Sequence, residues 1–293
     1  MSAGVESFTR IDSTGGVRVA VHDFGGPDDR AAPILLFSHA TGLHGLVWGP
    51  AAAPLTDRFR CLALDFRGHG LSEMPHGADL TWPRMGDDLL AILGSDLVGG
   101  NEVHGIGHSM GGAALVLAAA RRPGTLRSLW LYEPAIISPS IASSPGSPNP
   151  MAEGALRRRA SFGSYEEAIA NYAAKPPFDA LRRDALEAYV RGGFVPSEDG
   201  RVTLRCLPTT EAEVFRGGGD SGAFESLSLL DVPVALVAGQ PEPFSPVVFI
   251  EAAFAQLSRG TLVRRPNLGH FGPLQDPGGI ASDIASWVDG QRG

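Results

Sequence analysis

The sequence is poor in lysine, in cysteine and in long apolar runs, and each shortage excludes a class of protein. Lys175 is the only lysine, the net charge is −8 and no basic tract occurs, which argues against a nucleic-acid partner. The two cysteines, Cys61 and Cys206, are far apart in the chain and predict free thiols in a reducing compartment, with no disulfide framework and no metal site. No run reaches the roughly 18 apolar residues of a membrane span, and the N-terminus has no signal-peptide pattern. We therefore predict a cytoplasmic protein that does not bind a membrane.

Alternating strand and helix patterns dominate the chain, which has 293 residues and is 43% apolar. Short continuous apolar runs at 33–38, 60–65, 128–132 and 232–238 predict strands that are buried on both faces. Helical patterns lie between these runs, which predicts an α/β fold with a mostly parallel central sheet flanked by helices. Two earlier strands, at 6–12 and 17–24, are joined by the pair Gly15-Gly16, which indicates a hairpin.

The alternation of strands and helices is interrupted in the second half of the chain. The stretch 138–150 is rich in serine and proline, and helices are predicted beyond it near 152–162, 165–174, 179–191 and 210–215, with an extended piece at 201–207. We predict that residues 137–228 form an inserted helical cap. The core domain would then consist of residues 1–136 and 229–293.

The pattern G-x-S-x-G occurs at Gly107-His108-Ser109-Met110-Gly111, between a predicted strand and a strong helix former. A strand, a tight turn and a helix are the context that this pattern needs, and the turn strains the backbone of its central residue. The pattern predicts that Ser109 is a nucleophile at the C-terminal edge of the sheet. It also predicts that the Met110 N–H, at the start of the helix, is a donor to an oxyanion.

A serine hydroxyl becomes a good nucleophile when a base, most often a histidine, removes its proton. His270 is the one histidine that follows Ser109 in the sequence, and it lies in a glycine-containing loop after the last predicted strand. Chain order and loop position therefore predict His270 as the base. His108 adjoins Ser109 inside the turn, and we expect its side chain to point away from the site.

Two carboxylates are candidates for the acid that orients the imidazole. Glu133 ends the strand after the nucleophile helix, and Glu242 follows the next strand between two prolines. Either could also be an exposed loop carboxylate, and both remain open. The second oxyanion donor is expected in the loop 39–42, where the small side chain of Ala40 lets the backbone approach and the Thr41 N–H is the candidate.

The glycine-rich segment 65–72 comes directly after a buried strand and has many backbone groups to satisfy. We interpret it as structural. Asp65 and Arg67 are predicted to pair with each other inside the fold.

Four segments together resemble the α/β-hydrolase fold family, in its form with a serine nucleophile and a helical cap. They are Ser38-His39-Ala40-Thr41-Gly42, Asp65-Phe66-Arg67-Gly68-His69-Gly70-Leu71-Ser72, Gly107-His108-Ser109-Met110-Gly111-Gly112 and Gly269-His270-Phe271-Gly272-Pro273. The chain departs from the family in the loop that usually begins His-Gly and here begins His39-Ala40. It also has Glu242 after the seventh strand, where many members carry the acid as Asp. Some lactone hydrolases and haloalkane dehalogenases of the family are similar in placing Glu after the sixth strand, which favours Glu133. Dehalogenases and epoxide hydrolases use an Asp nucleophile, and Ser109 at that position argues against both chemistries.

The resemblance implies an enzyme that cleaves a carboxylic ester or lactone of a small hydrophobic substrate through a Ser-His-Glu triad and an acyl-enzyme. It implies no metal and no organic cofactor. Three other hypotheses stay open: carbon–carbon hydrolysis of a diketone by the same triad, perhydrolysis, and a ligand-binding protein without catalysis. A homo-oligomer is also possible. Aromatic residues of the cap are candidates to line the pocket: Phe162, Tyr165, Tyr172, Phe178, Tyr189 and Phe194.

Overall fold

The computed structural model describes residues 8–27, 32–139, 148–219, 221–243 and 245–291. Its strands in chain order are β1 Phe8–Asp12, β2 Arg18–Asp23, β3 Ile34–Ser38, β4 Arg60–Asp65, β5 Val103–His108, β6 Ser128–Tyr132, β7 Ser161–Phe162, β8 Phe194–Pro196, β9 Val202–Leu204, β10 Val234–Ala238 and β11 Gly260–Arg264. Its α-helices are α1 Gly49–Ala52, α2 Trp82–Leu93, α3 Met110–Arg121, α4 Pro150–Leu156, α5 Tyr165–Ala173, α6 Arg183–Gly193, α7 Pro208–Arg216, α8 Ala223–Ser226, α9 Ile250–Phe254, α10 Gly272–Gln275 and α11 Pro277–Asp289.

Eight strands form the central sheet in the order β1-β2-β4-β3-β5-β6-β10-β11. The β1–β2 hairpin turns at Gly15 and Gly16, which have φ of +70° and +76°, as the glycine pair predicted. The β1–β2 and β2–β4 pairs are antiparallel, and the other five pairs in the sheet are parallel. The predicted α/β fold with a mostly parallel sheet is confirmed. The first two residues of the strand predicted at 6–12 lie outside the described residues.

Helices cover both faces of this sheet, which explains why its middle strands are apolar without alternation. In β3 the side chain of Leu36 packs on one face with Met85 of α2 and Leu115 of α3. Its neighbours Leu35 and Phe37 belong to the core on the opposite face, which includes α11. Because both faces are buried, every residue of β3, β5 and β6 is buried.

The chain between β6 and β10, called the inserted segment below, contains α4 to α8 and a small antiparallel sheet of order β7-β9-β8. The helix expected at 152–162 is wrong in its second half, because α4 ends at Leu156 and β7 follows it. Tertiary contacts outweigh the local helical pattern here. The guanidinium of Arg201 donates to the hydroxyl of Ser161 at 2.8 Å, and that of Arg159 stacks 4.1 Å from the ring of Phe162.

Both cysteines are buried free thiols, as predicted. Burial raises the pKa of the Cys61 thiol to about 12, so this sulfur is not a reactive thiolate. None of the helices among the described residues combines the length and the hydropathy that a membrane span requires.

Candidate active site

Ser109 lies in a sharp turn between β5 and α3. Its φ of +52° and ψ of −118° are unusual for a residue with a side chain and cost about 1–3 kcal/mol. The turn is possible because its neighbours lack side chains: a Cβ on Gly107 would lie 2.7 Å from the Cα of Gly112, and one on Gly111 would lie 2.7 Å from the carbonyl oxygen of His39. The Ser109 N–H donates to the Tyr132 carbonyl at 3.1 Å, which ties the turn to the end of β6.

The loop after β3 lies against the start of α3. The Thr41 hydroxyl is 3.3 Å from the Met110 sulfur, so these two residues adjoin. Among the described residues, neither the Thr41 N–H nor the Met110 N–H donates a hydrogen bond to protein. Two free N–H groups at the positive end of a twelve-residue helix are suited to hold an anion beside Ser109.

Two buried histidines brace this loop with the same bonding pattern. The ring of His39 bonds the Ala40 carbonyl at 2.8 Å through Nδ1 and accepts the Phe66 N–H at 3.0 Å through Nε2. His69 bonds the Arg67 carbonyl and accepts the Gly42 N–H at 3.1 Å in the same way. Burial lowers the pKa of both rings, that of His69 to about 4, so each is a neutral imidazole that fixes backbone position.

The ring of His270 meets the carboxylate of Glu133. Its Nδ1 is 2.7 Å from Oε2 of Glu133, whose side chain is 0% exposed. The same carboxylate accepts the Gly239 N–H at 2.9 Å and the Ser245 hydroxyl at 2.5 Å. Glu133 also has a positive φ of 38°, a second strained residue at this edge of the sheet.

Glu242, the other acid candidate, contacts the backbone of His270 and not its ring. Its Oε2 accepts the His270 N–H at 2.8 Å, and its carboxylate packs so closely on Gly269 that a side chain there would overlap it. The structure therefore brings both predicted carboxylates to the same histidine. Glu133 orients the ring, and Glu242 holds the loop that carries it.

His108 does not point away from the site, and that expectation is wrong. Its ring lies 4.9 Å from the ring of His270, and its Nε2 bonds the His270 carbonyl oxygen at 2.8 Å. Burial lowers the pKa of His108 well below its ordinary value, so it acts as a neutral donor to the loop. In the described part of the chain, no hydrogen bond joins the Ser109 hydroxyl to His270, a contact that is often loose in hydrolases without bound substrate.

Three residues that support His270 were not identified from the sequence. The Tyr132 hydroxyl donates to the Gly269 carbonyl at 2.8 Å, and the Gln275 side chain accepts the Gly269 N–H at 2.8 Å. Ser245 supports Glu133 from a position 112 residues further along the chain. Tyr132 could have been suspected because it is the last residue of β6 and directly precedes Glu133, whereas Ser245 carries no sequence signal of this role.

The predicted pairing of Asp65 with Arg67 is wrong. The Asp65 carboxylate accepts a hydrogen bond from Nε2 of His22 at 2.9 Å. It also accepts the backbone N–H groups of Gly45 and Leu71. Arg67 instead pairs with Asp88 of α2 at 2.7 Å, with both side chains buried. Asp65 is the last residue of β4, whereas Arg67 lies in the turn that follows, so the two side chains reach different neighbours although both are structural.

Comparison with known proteins agrees with this fold. Residues 35–283 match the sequence model of the alpha/beta hydrolase family. The chain is 31% identical to the pimeloyl-[acyl-carrier protein] methyl ester esterase of Methylococcus capsulatus, over 80% of this chain and 85% of that protein. Its fold is similar to that of E-2-(acetamidomethylene)succinate hydrolase, with a TM-score of 0.79, 22% identity, and coverage of 97% of this chain and 99% of that one.

Another relative is much longer than this chain. The Mycobacterium tuberculosis protein called probable oxidoreductase EphD is 27% identical over 96% of this chain but only 50% of its own length. The chain thus spans about half the length of the first curated relatives that it matches.

Proposed function

The chain belongs to the alpha/beta hydrolase family, and from that premise we propose that it is a serine hydrolase acting on a carboxylic ester or lactone through Ser109, His270 and Glu133. The observation that carries this proposal is the 2.7 Å contact between the His270 ring and the fully buried Glu133, beside the strained Ser109. A buried carboxylate on Nδ1 fixes the tautomer in which Nε2 is free to accept a proton.

In the proposed mechanism, Ser109 Oγ attacks the acyl carbonyl while Nε2 of His270 removes its proton. Glu133 stabilises the imidazolium that forms, and the Met110 and Thr41 N–H groups hold the oxyanion. His270 then gives the proton to the leaving alcohol, which leaves an acyl-enzyme on Ser109. Water attacks the acyl-enzyme with His270 again as base, and the acid is released.

We also propose that the inserted segment covers this site as a cap. Phe178 of the inserted segment packs on Phe271, the residue after His270, with 5.4 Å between ring centres. The name of the esterase relative supports the ester class. Hydrolysis of a diketone would use the same triad, so the preference for an ester or lactone rests on that relative.

The test is labelling with a fluorophosphonate, followed by intact mass and peptide mapping. We expect one adduct, on Ser109, together with turnover of short esters, and loss of both in Ser109→Ala. Ser228→Ala removes an exposed hydroxyl outside the proposed triad and is a control that should label normally. If folded protein reacts with neither the fluorophosphonate nor a small sulfonyl fluoride, the proposal is overturned. A ligand-binding role without catalysis would then be favoured.

A further inference from the structure

A largely buried arginine of the inserted segment lies at the centre of a cluster of polar side chains that is separate from the proposed triad. The guanidinium of Arg158, which follows α4, donates to Glu211 in the first turn of α7 and to the hydroxyls of Tyr172 in α5 and Tyr189 in α6. Only 18% of its side chain is exposed. Four parts of the inserted segment thus each bring one polar side chain to one point, called the arginine cluster here.

The arginine cluster touches the loop that carries the proposed oxyanion donor. A Cβ on Gly42 would lie 2.5 Å from Oε1 of Glu211 and 3.3 Å from Nη1 of Arg158. Gly42 directly follows Thr41, so the cluster adjoins the residue next to the proposed oxyanion donor.

Aromatic rings connect the arginine cluster to the histidine side of the site. The ring of Phe178 is 4.9 Å from those of both Tyr172 and Tyr189, and 5.4 Å from that of Phe271. The ring of Phe271 is in turn 5.6 Å from the ring of His270. The cluster is therefore linked to the His270 side of the site by the rings of Phe178 and Phe271.

Hydrogen-bond donors outnumber acceptors in the arginine cluster. A guanidinium has five N–H groups; three are used by Glu211 and the two phenols, which leaves two with no acceptor in the described part of the chain. Each phenol oxygen accepts from Nη2, so that bond does not use the phenol's own hydrogen. Burial raises the pKa of Tyr189 well above its ordinary value, so its hydroxyl stays protonated and can donate.

We propose that the arginine cluster binds a carboxylate carried by the substrate, an inference that rests on the hydrolase function proposed above. Guanidinium and phenol donors match the oxygens of a carboxylate. Glu211 keeps the buried Arg158 neutralised when the site is empty, because an unpaired charge there would destabilise the fold. The apolar rings suit a short hydrocarbon chain between the two ends. The expected substrate is an ester that bears a second, free carboxylate.

The test compares two series of methyl esters that differ in charge. Monomethyl succinate, glutarate and adipate carry the free carboxylate at increasing distance from the ester. Methyl butanoate, pentanoate and hexanoate are the neutral counterparts with the same number of acyl carbons. The acid released is titrated at constant pH and low salt, and the ratio of kcat/KM within each pair is the readout. For at least one chain length we expect wild-type protein to prefer the charged ester.

Variants then assign that preference to the arginine cluster. Arg158→Met combined with Glu211→Gln removes both charges and leaves no buried charge unpaired, so the protein should fold. Its preference for the charged ester should fall by about 10- to 100-fold, the value of one or two charged hydrogen bonds. Glu211→Gln alone should raise the preference, because it removes the competing carboxylate. The matched control Arg159→Met changes an adjacent, half-exposed arginine paired with Glu167 and should leave the ratio unaltered.

Binding to Ser109→Ala, measured by calorimetry with monomethyl glutarate and methyl pentanoate, separates this inference from the proposed function. If the charged ester binds more tightly than the neutral one, and the double substitution abolishes this difference, the carboxylate site is supported. That holds even if wild-type protein does not turn over esters. Turnover with equal ratios in wild-type protein and the double variant would overturn the carboxylate site and leave the hydrolase intact. A lower preference in Glu211→Gln would also overturn it.

Discussion

Replacing Glu133 by glutamine tests the ring contact of His270 most directly, because it changes one oxygen into an amide nitrogen at almost constant volume. Both oxygens of the native carboxylate accept hydrogen bonds. Oε1 accepts the Gly239 N–H, and Oε2 accepts from the His270 ring and from the Ser245 hydroxyl. Glutamine has only one oxygen for these two positions. One of the donors must therefore face an NH₂ group in a site with no exposure to solvent.

If the glutamine oxygen stays on the Gly239 N–H, its NH₂ donates to Nδ1 of His270. The ring is then held with its proton on Nε2, where it cannot accept the proton of Ser109. Restoring the active tautomer places the NH₂ against the Gly239 N–H, which costs about 1–3 kcal/mol for an unsatisfied buried donor. Loss of the negative charge beside the imidazolium adds about 1.5–3 kcal/mol. The sum of roughly 2.5–6 kcal/mol predicts a fall in kcat of about 10²- to 10⁴-fold.

The assay is steady-state hydrolysis of a short ester by wild-type protein, Glu133→Gln and Glu242→Gln. Glutamine at 242 can keep its oxygen on the His270 N–H, so at most one hydrogen bond of about 1 kcal/mol weakens, which is a loss of about fivefold. Denaturant unfolding should show that both variants remain folded. Equal losses in the two variants, or less than a tenfold loss in Glu133→Gln, would refute the assignment of the acid to Glu133.

Other predictions concern residues that support the site. Ser245→Ala removes the hydroxyl that donates to Glu133 at 2.5 Å, and steady-state kinetics should show a kcat about tenfold lower, since this bond is worth about 1–2 kcal/mol. Gly272→Ala places a Cβ where the Tyr132 hydroxyl lies, so activity and the denaturation midpoint should both fall. His69 has its pKa lowered by burial to about 4, below its value of about 6.5 when unfolded, so the unfolded chain binds the proton first as pH falls. Its contribution to the free energy of unfolding should drop by about 2 kcal/mol between pH 7 and pH 5, and denaturant titrations of His69→Gln should lack that part of the pH dependence.

Matched changes elsewhere in the chain are the controls for these predictions. Ser228→Ala removes an exposed hydroxyl that donates to the Glu225 carbonyl, and should not alter kcat. Gly278→Ala adds a methyl group in α11, where the nearest atom is 3.9 Å away, and should stabilise the protein by up to about 1 kcal/mol. Equal effects of Gly272→Ala and Gly278→Ala would contradict the steric reasoning. An unchanged pH slope in His69→Gln would contradict the neutral role of that ring.

Features fixed by local chain geometry could be predicted from the sequence. The elbow at Ser109 follows from glycines at set offsets between a strand and a helix, and the β1–β2 hairpin follows from its glycine pair. The position of His270 follows from chain order, because a loop after the last parallel strand must lie at the same sheet edge as Ser109. Each of these depends on fewer than about ten neighbouring residues or on the direction of a strand.

Contacts between distant segments could not be predicted in this way. The choice between Glu133 and Glu242 depends on where the His270 loop crosses the sheet edge, and Ser245 joins the site only through folding. The direction of the His108 ring depends on that same loop, and the partner of Arg67 depends on the packing of α2. A sequence pattern states which residues can react, whereas packing decides which of them meet.

The order of the strands explains why a carboxylate at the end of β6 suits the ring while one after β10 suits the loop. Strand β6 lies between β5, which leads into Ser109, and β10. A loop that comes from β11 must pass over the ends of β10 and β6 before its histidine can reach Ser109. Glu242, placed after β10, meets the backbone of that loop, and Glu133, one strand closer to Ser109, meets the ring. The two carboxylates are therefore not interchangeable, because Glu242 would have to release the His270 N–H and move past one strand spacing, about 4.8 Å, to reach the ring.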